Sequence, residues 1–463
     1  MSFYFWENNI RRNAEIIRIN KDAVLTTEII KKLVEQHQST VVPRLVKLEN
    51  YYQGRTDILQ RQMADITKPN NKIVNPFANY ITDMFVGYFM GEPVAYKSND
   101  REALEELQLI FNYNDEQDEN AELANNASIY GVAYEMCYVD ADGMVRFKQV
   151  NPKEVICVYD NTIENDLLYA IRYYQDKDIL TDKVSIVVEV YSRNDIKTYK
   201  CSELLGDFVL IDEEPHFFGL VPFAEYKNNS DEIGDFELVI SLIDAYDKLI
   251  SDSLNDFEYF CDAYLGLYGM TADEEDIRMM KENRVILMDE GAKAEWITKN
   301  VNDTQMENLK TRLEKDIHKF SKCPNLSDEN FVGNSSGVAM AYKNMGTENI
   351  TSVKERKFKK GLQRRIELIA AINALKSSSF DWRAIEIVFT RNLPVNVAEI
   401  VDIANKLQGI VSNETIISQL PFVEDVQLEL EKLASEKEAN PFYSEMNPIV
   451  DAALGQEEIE EDV

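Results

Sequence analysis

Gly333-Asn-Ser-Ser-Gly337 spells the Gly-x-Ser-x-Gly pattern with which a serine hydrolase presents its nucleophile. That chemistry needs a strand before the serine, a helix after it, and a histidine later in the chain to take the hydroxyl proton. Here helical spacing precedes the motif, and His37, His216 and His318 all lie upstream of Ser335. The stretch therefore reads as a serine–glycine helix start. The three histidines and the five cysteines (Cys137, Cys157, Cys201, Cys261, Cys323) match no zinc spacing. No Gly-x-x-x-x-Gly-Lys-Ser/Thr loop offers a nucleotide-phosphate cradle. Carboxylates are too abundant for one pair to stand out as acid and base. These residues predict neither catalysis nor a bound metal or cofactor.

Composition narrows the class further. A chain of 463 residues buries a large core and holds several modules. Its 49 basic against 82 acidic residues give a net charge of −33. So acidic a surface should not grip nucleic acid, because tight binding needs phosphate neutralisation, although it is compatible with surrounding DNA without adhering. Scattered, odd-numbered cysteines suggest reduced thiols in a cytoplasmic setting. The start, Met-Ser-Phe-Tyr-Phe-Trp-Glu, lacks a basic region followed by an apolar one, so no secretory signal is expected. The longest apolar run, Phe77 to Met90, contains Asp83 and is shorter than the roughly 20 residues a membrane span needs. A soluble protein is predicted.

The elements around the serine motif are mainly helical. Met306, Leu309, Leu313, Ile317 and Phe320 recur at steps of three and four, behind a capping box at Thr304 and Glu307 and ahead of Pro324. A second helix starts near Val338 and runs to about Lys376, softly interrupted by Gly346 and Gly361. Between them, Asn325 to Gly337 is a hinge or an exposed loop. Two helices are expected from Thr26 to Gln53, another from Asn75-Pro76 to Met90, and a solvated acidic helix with a loop from Asp100 to Glu122. From Gly131 the period changes to two, with a hairpin over Tyr134–Val150 and strands near Val155–Tyr159, Leu168–Tyr174, Val184–Tyr191 and Ile196–Tyr199, closing around Phe217–Tyr226. Ile233, Phe236, Ile240, Ile243, Asp247, Ile250, Leu254 and Phe257 form a heptad seam, so Asp231–Phe257 reads as one helix with a single packing edge and an acidic remainder. Asp235, Glu237, Asp244, Asp252 and Asp256 stand off that seam, and Asp247 is its polar member. Cys261–Trp296 reads as a small mixed insert with strands at Tyr264–Tyr268, Val285–Met288 and Ala294–Ile297. Lys354, Arg356, Lys357, Lys359, Lys360, Arg364 and Arg365 are the one basic cluster. In so acidic a chain, pairing with carboxylates of this or another subunit is favoured over a DNA patch. A strand at Ile385–Phe389, a turn at Arg391–Pro394 and helices at Val397–Leu407, Glu414–Gln419 and Val423–Lys437 follow. The tail from Asn440, ending Glu457-Glu-Ile-Glu-Glu-Asp-Val463, reads as disordered.

Ser327-Asp-Glu-Asn-Phe-Val-Gly-Asn-Ser-Ser-Gly-Val-Ala-Met-Ala-Tyr-Lys343 resembles the signature of the portal proteins of tailed bacteriophages, in the branch from long-tailed phages of Gram-positive hosts. Val74–Pro93, Lys354–Arg365 and Phe389–Pro394 resemble the same branch, in matching order over about residues 25–437. The resemblance implies an α+β, mainly helical portal fold assembled as a ring of twelve subunits at a capsid vertex. It assigns residues 1–230 to the wing, 231–258 and 303–324 to two stem helices and 259–302 to the clip. Residues 325–337 become the tunnel loop, 338–395 the long wing helix and return strand, 396–440 the crown and 441–463 an acidic tail.

By the same resemblance Asn325, Ser327, Asp328, Glu329, Asn330, Gly333, Asn334, Ser335, Ser336 and Gly337 face a channel for double-stranded DNA. Val332 departs from the pattern where a second glycine is expected, which stiffens the loop. Asp235, Glu237, Asp244, Asp247, Asp252 and Asp256 are the candidates for a repelling channel lining. The implied function is a non-enzymatic conduit for DNA entry and exit, in the virion after assembly in the host cytoplasm. Implied partners are the terminase large subunit, scaffolding and major capsid proteins, and head-completion adaptors. The alternatives are an acidic structural or adaptor protein that conducts no DNA, and a serine hydrolase at Ser335.

Overall fold

The computed structural model describes residues 17–65, 68–201, 206–261, 264–269, 273–283, 291–297, 303–326, 337–376, 380–392, 397–417, 420, 423 and 426–439. The chain divides into two compact units, Met1–Asn392 and Leu393–Val463. Strands and helices mix throughout the first, as an α+β reading requires. In chain order its strands are β1 (Ile17–Ile19), β2 (Ala95–Lys97), β3 (Val132–Val139), β4 (Val145–Val150), β5 (Val155–Asp160), β6 (Leu167–Lys177), β7 (Val184–Tyr191), β8 (Asp195–Cys201), β9 (Val209–Pro215), β10 (Phe223–Lys227), β11 (Tyr264–Tyr268), β12 (Lys293–Ile297) and β13 (Glu386–Val388). Its helices are α1 (Thr27–Gln36), α2 (Val42–Tyr52), α3 (Phe77–Met90), α4 (Arg101–Tyr113), α5 (Glu116–Tyr130), α6 (Ile240–Cys261), α7 (Glu274–Asn283), α8 (Asp303–Ser321) and α9 (Gly337–Leu375).

A six-stranded sheet runs β1-β5-β6-β7-β8-β9, parallel at β1–β5 and an antiparallel meander beyond it. Alternation puts Val158, Ile171, Tyr173, Ile186, Val188 and Val190 into one core, closed by Ile30, Leu33 and Val34 of α1. A five-residue π-helical turn, His37–Val41, links α1 to α2 and directs His37 Nδ1 to within 2.7 Å of the Tyr173 hydroxyl. Edge strand β9 escapes the sequence reading, because its seven residues are exposed and show no buried face.

A three-stranded sheet, β10-β3-β4, carries α9 across it. Phe358, Leu362, Ile366 and Ile369 recur at steps of four, four and three and are each 2 % exposed or less. Burying four such side chains contributes on the order of 6–12 kcal/mol before entropy is charged. Gly361 lies at the crossing: a Cβ there would meet Tyr226 Cδ1 at 2.5 Å and the Glu225 carbonyl oxygen at 2.8 Å. The expected interruption at this glycine is therefore a close approach inside a continuous helix.

Two expectations are corrected here. Asp100–Glu122 is not a solvated helix and loop but α4 and part of α5, with Glu116, Glu119 and Asn120 buried. Charge alone suggested solvent; the partners that make burial tolerable, Arg365 for Glu116 and Asn120 and Lys148 for Glu119, are distant in sequence. The helix read from Asp231 begins only at Ile240, after a turn in which Gly234 passes under α5; a Cβ there would meet the Ile129 carbonyl at 2.4 Å.

The described elements of the second unit are helices. It contains α10 (Val397–Leu407), α11 (Asn413–Ile417) and α12 (Val426–Ala439), with Ser412 accepting from Thr415 N at 3.4 Å to cap α11. Among the described residues no helix is long and apolar enough to cross a membrane. The expected strand Val285–Met288, the loop 327–336 and the tail 441–463 lie outside the described residues.

Candidate functional site

Helices α6 and α8 pack side by side. Ile243, early in α6, shares a core with Ile317, late in α8, so the two run antiparallel. The hairpin β11–β12 and α7 lie in the insert between them, with Tyr264 paired to Ile297 and Tyr268 to Lys293. Where α8 ends, Lys322 turns into the left-handed region at φ 60°, and Thr347 of α9 donates to its carbonyl at 3.0 Å. The hydroxyl of Tyr80 on α3 donates to the Pro324 carbonyl at 3.1 Å, and Asn325 Nδ2 donates to Glu314 at 3.1 Å. The loop's base is thus tied to α3, α8 and α9. Of its expected channel-facing residues, Asn325 lies at that base and Gly337 opens α9. Ser327, Asp328, Glu329, Asn330, Gly333, Asn334, Ser335 and Ser336 lie outside the described residues.

The acidic candidates on and before α6 are engaged within the chain. Asp235 is buried against the Lys354 ammonium and accepts from Asn228 at 2.9 Å. Arg44 donates from Nε to Glu237 at 2.6 Å. The Tyr51 hydroxyl donates to Asp244 at 2.5 Å. Asp247 is fully buried and accepts from Thr56 at 2.7 Å and from the Asn75 backbone at 2.8 Å. Arg61 reaches Asp252 at 2.6 Å. An acidic remainder turned to solvent is therefore corrected for Asp235, Glu237, Asp244 and Asp252, while Asp247 is buried as the polar member of the packing edge. Asp256, half-buried, also interacts.

The heptad seam is corrected with them. Asp247, Ser251 and Asn255 are buried at steps of four, while Phe257 is 67 % exposed. The second half of α6 packs through a polar stripe: Ser251 accepts from the Ile73 backbone at 2.9 Å, and Asn255 accepts from the Asn71 backbone at 2.7 Å. Sequence reasoning missed Arg44, Thr56, Arg61, Asn71 and Asn75. For the last four the signal was the long, aperiodic polar stretch after Tyr52, since a connection of that length needs partners elsewhere in the fold, whereas Arg44 on α2 carries no such signal.

The basic cluster also divides. Arg365 is completely buried, and its guanidinium donates to Glu135 at 2.6 Å, to Asn120 at 2.8 Å and to Glu116 at 3.3 Å. Tyr226 adds a bond to Glu135 at 2.8 Å. Burial raises the Glu116 carboxyl, and Arg365 opposes the shift. An uncompensated buried charge costs about 3–5 kcal/mol, so this network fixes α9 to α5 and β3. Burial lowers the Lys354 ammonium, with Asp235 opposing. Arg356 and Lys359 donate to the carbonyls of Ser352 and Ile387, each at 3.0 Å. Arg364 reaches Glu367 at 2.7 Å and the Val221 carbonyl at 3.0 Å. Lys357 is half-buried and Lys360 exposed. The structure brings the cluster onto the first unit's core, with Lys354 near Cys323 at the end of α8.

Residues 31–441 match the family described as phage portal protein, SPP1 Gp6-like. The chain belongs to that portal protein family. The portal protein of Bacillus phage SPP1 is 25% identical over 94% of this chain and 91% of its own length. That of Clostridium phage phiCD119 is 26% identical over 85% and 92%. A solved structure, the neck of an empty GTA particle computed with C6 symmetry, covers 75% of this chain and 90% of its own at 11% identity and a TM-score of 0.42. Portal proteins are structural proteins of the phage particle, not enzymes, and the resemblance in the four segments is that of the family. Among the described residues no cluster of histidine, cysteine or carboxylate side chains is arranged to hold a metal.

Proposed function

We propose that the protein forms the ring-shaped portal vertex through which double-stranded DNA enters the procapsid and later leaves the virion. The observation that carries this reading is the antiparallel pair α6 and α8, with an inserted hairpin at one end and, at the other, the Pro324–Asn325 segment after α8 tied to α3 and α8. Such a pair, repeated around an axis, presents the insert at one mouth and a collar of loops inside. In this reading residues 1–230 and 338–395 are wing, 231–258 and 303–324 stem, 259–302 clip and 396–440 crown. Twelve copies of a chain carrying −33 repel a duplex on every side, which centres it and leaves it free to slide. That argument rests on the net charge, because the six stem carboxylates are engaged in interactions within the chain. The chain brings no nucleotide-phosphate loop, so the work of translocation belongs to a separate ATPase, the terminase large subunit, docked at the clip. Head-completion adaptors follow it there, and scaffolding and capsid proteins meet the wing during assembly in the host cytoplasm.

Projection images along the symmetry axis test the proposal. A closed ring with a hole wide enough for a duplex is expected. A stable monomer at micromolar concentration, or a ring without such a hole, refutes it.

A further inference from the structure

Lys357, Lys360 and Arg364 stand at i, i+3 and i+7 on α9, so they share one helical face. With Lys227 they line an open cleft of about 340 Å3 whose other walls are Leu167, Phe223 and Glu225. Lys227 is already matched to Glu232 at 2.8 Å and Arg364 to Glu367 at 2.7 Å. Neither Lys357 nor Lys360 meets a carboxylate among the described residues. In a chain of net charge −33 this leaves two uncompensated cations beside an apolar wall. From the first turn of α4, a second stripe repeats the same spacing with two acidic residues and an apolar one: Glu102, Glu105 and Leu109. Both glutamates are exposed, neither has a partner among the described residues, and Leu109 is 68 % exposed.

We infer that the α9 cleft and the α4 stripe are the two halves of one contact between copies of this chain: Glu102 and Glu105 of a second copy meet Lys357 and Lys360, and its Leu109 covers Leu167. The inference rests on the ring reading, because a contact between two different patches of the same subunit is head-to-tail and closes only as a ring. A duplex phosphate backbone is the less suitable occupant. The cleft presents a carboxylate of its own, Glu225, and few cations, whereas non-specific DNA binding needs many phosphates neutralised. Charge complementarity fixes register in such interfaces more than it adds affinity.

Reciprocal charge reversal in the full chain tests it, with ring fraction read by native mass measurement and folding by thermal melting. K357E/K360E and E102K/E105K should each lower the ring fraction about tenfold with melting unchanged, and the quadruple variant should return it to within about twofold of wild type. Undiminished rings in either double variant, or a quadruple variant that recovers nothing, overturns the inference and leaves the ring reading standing. Intact rings with lost retention of duplex DNA assign the cleft to phosphate instead. A wild-type chain that forms no ring overturns both readings.

Discussion

His37 sits at 8 % exposure between α1 and the sheet, and burial pulls its imidazole from 6.5 down to about 4. The fold therefore holds it neutral, while the unfolded chain takes up a proton near pH 6.5. The stability it contributes is complete above that value and is lost as pH falls toward 4. Between pH 6.5 and 4.5 the loss amounts to about 2 kcal/mol. Replacing His37 with Phe sacrifices the Tyr173 bond, at about 1 kcal/mol near neutrality. The same change should flatten the acid limb by the titration term, as read from urea midpoints at several pH values. Parallel limbs for both proteins would mean that protons reach the imidazole in the folded state. Ser335 shows the opposite case at this scale. Its flanking glycines match a hydrolase pattern, and the helical spacing before it and the order of the histidines along the chain argued against the chemistry.

Helix α9 holds two glycines in its interior, Gly346 and Gly361, that helix propensity treats alike and the fold does not. Replacing Gly with Ala in a helix interior is worth up to about 1 kcal/mol of added stability. At Gly346 the new Cβ meets nothing nearer than Lys322 Cβ at 3.8 Å, so Gly346→Ala should stabilise by about that amount. At Gly361 the Cβ would press on the Tyr226 ring and the Glu225 backbone, and the backbone contact cannot be relieved by a rotamer change. Gly361→Ala should destabilise by about 1–3 kcal/mol, the overpacking cost outweighing the propensity gain. Denaturant unfolding of the two variants side by side gives opposite signs; equal signs would show that β10 does not hold α9 at this distance. The same logic explains the misread start of α6. Ile233 and Phe236 fit the heptad, but Phe236 is buried by a turn under α5 and does not belong to the helix.

At the scale of the whole molecule, the loop 327–336 is the proposed contact with moving DNA. Its base at Pro324 and Asn325 is anchored by Tyr80 and Glu314, which gives a short segment a fixed point of departure. Bulky replacements at Asn334 or Ser335 should lower packaged DNA by an order of magnitude or more while ring yield stays unchanged. In vitro packaging beside native mass measurement checks this, and normal packaging by both variants refutes a role for the loop in translocation. The net charge of −33 belongs to this scale as well. In the proposed ring it would act through the summed field of the subunits, and it says little about any single carboxylate.

Much of the secondary structure was legible from residue order. Capping residues, prolines and the change of period from 3.6 to 2 are local signals, and they marked the hairpin β3–β4, the long α9 and the two helices that flank the insert. The four segments that resemble portal proteins are local as well, and they pointed to the family before any packing was known. Tertiary structure alone decided which charges are buried. Arg365 and Glu135 are separated by 230 residues, Thr56 and Asp247 by 191, and no periodicity links them. A carboxylate on an acidic helix carries the same sequence signal whether it faces water or a guanidinium. Its partner, supplied by a distant part of the chain, determines whether it lines a surface or locks two elements together.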